Sequence, residues 1–115
     1  MITALIVLLS ITAIAGVVLA ALHFTNKKIP MGVALFHGIF AVAGLIALIL
    51  SVARINAMGP LSFALVFIVL AALGGLTLFV GFYLRRKNLP TPIVGLHAAF
   101  AVAGFVLVIV YAMAR

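Results

Sequence analysis

The chain has 115 residues, 70% of them hydrophobic and 6% charged, with seven Lys and Arg, no Asp or Glu, and a net charge of +7. Ordinary soluble domains are roughly 45–50% apolar and 25% charged, so a water-soluble globule and a disordered chain are both excluded. Cations so sparse and scattered exclude a nucleic-acid footprint as well. Without cysteine there is no disulfide, thiolate nucleophile or thiolate-bound cofactor. Without carboxylates there is no paired-acid hydrolysis, no Ser-His-Asp triad and no acid-built calcium site. The side chains left to carry chemistry are His23, His37 and His97.

Four apolar runs follow one another, at about residues 3–24, 31–53, 61–84 and 92–113. At ~1.5 Å of rise per residue each run crosses a ~30 Å hydrocarbon core with modest tilt. The first could pass for a secretory leader, because Val18-Leu19-Ala20-Ala21 resembles a small-residue cleavage site. It lacks a basic flank, however, and is too long for a leader's apolar region. Thr25 to Pro30 forms the first break, Arg54 to Pro60 the second, and Arg85 to Thr91 the third. Thr91 ahead of Pro92 reads as a helix N-cap with proline at the first helical position. Breaks this short predict antiparallel neighbours, hence an all-α integral membrane up-down-up-down four-helix bundle forming a single domain.

Shifting the sequence by 60 residues pairs Lys27 with Lys87, Pro30 with Pro90 and His37 with His97. The same shift aligns Phe40-Ala41-Val42-Ala43-Gly44 with Phe100-Ala101-Val102-Ala103-Gly104, and Ile49 with Ile109. That makes 9 identities in the 28 positions from 27 to 54, which reads as two copies of one helical hairpin, residues 1–54 and 61–115. Two helices separate equivalent positions, so the copies run parallel, related by a pseudo-twofold axis along the membrane normal. Lys27, Lys28, Arg85, Arg86 and Lys87 occupy the first and third breaks, against Arg54 and Arg115 at the other side. Positive-inside bias therefore predicts cytoplasmic first and third loops and external termini, with a bacterial inner membrane as the expected setting.

His37 lies seven residues after Pro30 and His97 seven after Pro90, so both are expected ~10 Å inside the same membrane face. The second and fourth helices are diagonal in such a bundle. Two residues related by the pseudo-twofold then face each other across its axis, the geometry of two axial ligands on one metal. Room for a large flat cofactor is expected from small residues at that depth. His37, Ala41 and Gly44 share a face of the second helix, as His97, Ala101 and Gly104 share one of the fourth. Ala15 and Gly16 on the first helix and Gly74 and Gly75 on the third reach the same level. Helix packing alone also favours such glycines, but intramembrane histidines are functional candidates by default. His23, paired with Tyr83 by the repeat, is expected at the headgroup level.

On His37, His97 and these glycines, the chain resembles a small b-type cytochrome, similar in plan to the membrane four-helix bundles of the cytochrome b and cytochrome b561 types. The resemblance implies one non-covalent haem b, with His37 and His97 on its iron and Gly16, Gly44, Gly74, Gly75 and Gly104 packed around it. It further implies that Lys27, Lys28, Arg85 and Arg86 receive the anionic propionates. Six-coordinate iron leaves no open position, which points to single-electron transfer, with a redox protein or quinone as partner, rather than to an enzyme with its own substrate. The chain carries one intramembrane histidine pair where those families commonly have two. The alternative is a haem-free accessory subunit of a larger membrane complex. A variant in which each histidine ligates a pigment's magnesium is less favoured, as is a transporter, since the helices carry few hydroxyls and no charge to form a polar path. Homo-oligomers through the glycine faces fit every reading.

Overall fold

A computed structural model describes residues 1–55 and 59–115. Four helices account for them: α1 (Ile2–Phe24), α2 (Met31–Ile55), α3 (Pro60–Leu76), which continues as a π-helical segment at Thr77–Tyr83, and α4 (Thr91–Ala114). No strand occurs among the described residues. Asn56, Ala57 and Met58 of the second break lie outside the described residues.

All four spans are long and apolar enough to cross a bilayer, and the chain is a multi-pass membrane protein. Its surface is correspondingly apolar: Ile14, Val17, Ile39, Leu76 and Val102 all stand exposed on the outside of the bundle. Lipid tails solvate such side chains as well as a protein interior does, so burial selects small residues and close backbone approach rather than hydrophobicity. The molecule measures 42 × 21 × 19 Å. The hairpins α1–α2 and α3–α4 pack most closely, and α2 against α3 and α1 against α4 close the ring.

The helix ends explain why the chain turns where it does. Pro30 and Pro90 offer their carbonyls to the N–H groups of Val33 and Ala34, and of Ile93 and Val94. The proline ring has no donor to waste outside the first turn. At the other ends, Lys27 N–H donates to Leu22 O and Asn26 N–H to His23 O, while Lys87 N–H donates to Phe82 O and Arg86 N–H to Tyr83 O. Both sets are Schellman closures, with Asn26 and Arg86 in the left-handed region at φ 57 and 56. Thr91 does not cap α4: Pro90 holds the N-cap position, and the Thr91 hydroxyl turns instead to His23.

The large buried side chains gather in one half of the bundle. Leu5, Leu9, Ala47, Leu48, Leu61, Ala64, Ile68 and Val108 form one cluster, all at the end away from the Lys- and Arg-rich loops. Toward the basic end the buried positions are Ala15, Ala71, Leu78 and Val94. That half holds both His37 and His97.

Contacts recur between the hairpins, and their spacing changes along α3. Below Tyr83 the offset is 60, as in the two Schellman closures. Above it, Gly44 meets Leu9 where Gly104 meets Ile68, and Gly16 meets His37 where Gly75 meets His97. Leu9 to Ile68 and Gly16 to Gly75 are offsets of 59. The second hairpin therefore has one extra residue between Gly75 and Tyr83, and the π-helical segment absorbs it, with Leu84 N–H reaching back to Phe79 O at 2.8 Å. A π-turn takes up one residue without rotating what lies on either side.

Removing Val80, which faces lipid, should let α3 run through as an ordinary α-helix like α1 and leave stability within about 1 kcal/mol of the parent in detergent thermal unfolding. Removing Val69 shifts the core-facing register where nothing absorbs it and should cost about 2–5 kcal/mol, as emptied core positions do. Equal damage from both deletions would contradict the insertion account.

Candidate functional site

Lipid offers no hydrogen bonds, so an imidazole inside the bilayer must find its partner within the protein. His37 Nδ1 lies 2.9 Å from the Thr12 carbonyl oxygen on α1, and His97 Nδ1 lies 2.7 Å from the Ala71 carbonyl oxygen on α3. A carbonyl only accepts, so both contacts require the proton on Nδ1. In each neutral ring the lone pair is therefore on Nε2, and neither Nε2 bonds to the protein among the described residues.

Glycine makes these bonds reachable. A helical carbonyl already accepts from the N–H four residues on, and its second lone pair is normally covered by the side chain at that position, which leans back over the preceding turn. Four residues after Thr12 is Gly16, and four after Ala71 is Gly75. A Cβ on Gly16 would lie 3.1 Å from His37 Cε1, and one on Gly75 would lie 2.9 Å from His97 Cε1. Each imidazole passes over a glycine and docks on the carbonyl one turn earlier. Gly74 supports the second ring from the side, its missing Cβ 3.5 Å from His97 Cβ.

The two rings come together across the bundle, with centroids 6.1 Å apart and planes crossed at 80°. Two imidazoles on opposite sides of one metal, with metal–nitrogen bonds of about 2 Å, have centroids about 6 Å apart. No group of three or more His, Cys, Asp or Glu gathers among the described residues. A metal here would have two protein ligands and would need its remaining positions from elsewhere, as a porphyrin provides. The Nδ1–H to carbonyl bonds are also the outer-sphere arrangement that fixes ring orientation and raises ligand basicity. Ring spacing and tautomer are those that two imidazoles on one metal would need, while the space beside Gly16, Gly74 and Gly75 is filled by the imidazoles themselves.

The other expected residues divide. Gly44 and Gly104 do not border the imidazoles: they lie seven residues deeper and seat side chains, with their missing Cβ atoms 2.8 Å from Leu9 Cδ2 and 2.6 Å from Ile68 Cδ1. They close the dry half of the bundle beneath the histidines. Lys27, Lys28, Arg85 and Arg86 are exposed at the basic end. Two cross-ties bind the hairpins there: Tyr83 donates its hydroxyl to the Ile29 carbonyl at 2.8 Å, and His23 Nε2 lies 3.2 Å from Thr91 Oγ1. His23 is thus engaged in holding α1 to the start of α4. An apolar cleft of about 600 Å³ between α1 and α2 opens on the lipid face, lined by residues including Ile14, Ala15 and Phe36 but by neither intramembrane histidine.

Thr12 and Ala71 were not legible as partners, since a backbone carbonyl has no letter of its own. The signal was the small residue one turn later, at the depth of a histidine on the neighbouring helix. Gly75→Ala should drive a methyl into the His97 ring and destabilise the bundle by about 1–3 kcal/mol. Gly38→Ala enters open space and should be neutral or slightly stabilising in the same detergent melt. Equal behaviour of the two variants would contradict the cradle. No protein-family model, no curated protein and no solved structure matches the chain.

Proposed function

We propose that the chain is a membrane electron carrier holding one non-covalent haem b between His37 and His97, and that it serves a larger redox complex or a quinone. The observation that carries this reading is the pair of crossed imidazoles 6.1 Å apart, each pinned through Nδ1 to a neighbouring helix.

When bound, such a group would supply one-electron transfer. The protein's part is to bind and to tune. His37 and His97 offer Nε2, while the carbonyls of Thr12 and Ala71 hold the opposite nitrogen and keep each ring from turning. Gly16, Gly74 and Gly75 leave the imidazoles their space, and the packed half beneath keeps water away, which sets the potential by burial. Lys27, Lys28, Arg85 and Arg86 stand at the end nearer the histidines and would meet the propionates with charge-assisted bonds. The Lys and Arg bias favours this end as the cytoplasmic one, with the termini outside.

Protein purified from haem-replete cells should show a Soret band, split α/β bands in the reduced-minus-oxidised spectrum and one haem per chain. His37→Ala and His97→Ala should each abolish the low-spin spectrum. Full haem retention in either variant, or a colourless parent protein that is folded, would overturn the assignment; the colourless result would favour the accessory-subunit reading.

A further inference from the structure

At the end away from the basic loops, the four helices leave a small cavity of about 180 Å³, lined by residues including Ile2, Ser51, Arg54, Leu61, Tyr111 and Arg115. Ser51 lies fourteen residues beyond His37 on α2, about 21 Å along the axis, so this cavity is separate from the histidine site and the inference does not rest on the haem reading. Against roughly 30 Å³ per water molecule, it has room for a handful of waters or one phosphate group.

Its charge is what needs an explanation. Arg54 and Arg115 are the only charged side chains at this end, and they line the same cavity. No Asp or Glu exists anywhere in the chain to pair with either, and neither guanidinium is bonded to a protein group among the described residues. Both arginines are exposed and bring two like charges to one mouth, where a bound anion would offset their repulsion. Tyr111 adds a phenolic donor to the same cavity, without a protein partner among the described residues. Ser51 does not compete, because its hydroxyl donates to Ala47 O at 2.8 Å. Ile2, Ile55 and Leu61 supply its apolar lining.

The geometry points to a site for one phosphate-bearing anion at this end, held by Arg54, Arg115 and Tyr111. Guanidinium groups take phosphate oxygens in bidentate pairs, and a phenol can add a third bond. The cavity lies at the ends of membrane-spanning helices, where phospholipid phosphates are found, and its half-apolar lining suits the glycerol of an anionic lipid such as phosphatidylglycerol.

Native mass spectrometry of the full chain in neutral detergent, with phosphatidylglycerol or phosphatidylcholine added, tests this directly. The parent should retain one phosphatidylglycerol in preference to phosphatidylcholine. Loss of both guanidinium contacts in Arg54→Gln/Arg115→Gln should weaken retention about tenfold or more. Tyr111→Phe keeps the ring in its packing and should weaken retention severalfold, which keeps the proposal testable if the double variant inserts poorly. Inorganic phosphate binding to lipid-free protein, with the same dependence on Arg54 and Tyr111, would support the site and assign it a free anion instead. Equal retention of the two lipids, or retention undiminished in both variants, overturns it.

Discussion

The arrangement depends on a hydrogen bond made in oil. An imidazole cannot leave its N–H unpaired in the bilayer, and each intramembrane histidine solves this by bonding a backbone carbonyl on the partner helix of its own hairpin. That carbonyl is reachable only because the residue one turn later is glycine. The bond fixes the tautomer, the tautomer puts the lone pair on Nε2, and the diagonal placement of α2 and α4 brings the two rings together. The two unbonded Nε2 lone pairs therefore follow from the need to satisfy a donor.

The rest of the bundle serves that placement. Large side chains fill the half away from the basic loops, giving the hairpins a rigid footing, while Gly44 and Gly104 let Leu9 and Ile68 pack almost onto the backbone. Helices in lipid gain little from burying apolar surface, so such close approach is what holds them. At the basic end the cross-ties from Tyr83 to Ile29 and from His23 to Thr91 join one hairpin to the other. They occupy equivalent places on α1 and α3, which the π-helical segment allows despite the extra residue above it.

Much of this was legible in the letters. Lipid imposes length and apolarity on every span, so the expected helix limits fall within a few residues of those found. The recurrence of His37 as His97 after equal distances from Pro30 and Pro90 put both rings at one depth, and counting along the helices put Gly16, Gly74 and Gly75 at that level as room for a macrocycle, where the structure seats the imidazoles themselves. Other features were hidden for physical reasons. A fixed shift of 60 sets Gly16 opposite Leu76 rather than Gly75, so the likeness of α1 to α3 disappears unless an inserted residue is allowed. Gly44 and Gly104 share the histidine face in projection, but two turns of rise carry them away from the rings. Thr91 looks like a cap by type, but Pro90 takes that place and frees its hydroxyl for His23.

The claim beneath all of this is that both intramembrane imidazoles carry their proton on Nδ1. Solid-state NMR of protein with ¹⁵N-labelled histidine in lipid vesicles, using a His23→Gln background to isolate the two rings, reads this directly. The account predicts protonated Nδ1 and unprotonated Nε2 at His37 and at His97, in the same state at both. An unprotonated Nδ1 on either ring, with the proton on Nε2 instead, would break the bond to the neighbouring helix and contradict the structure's central contact.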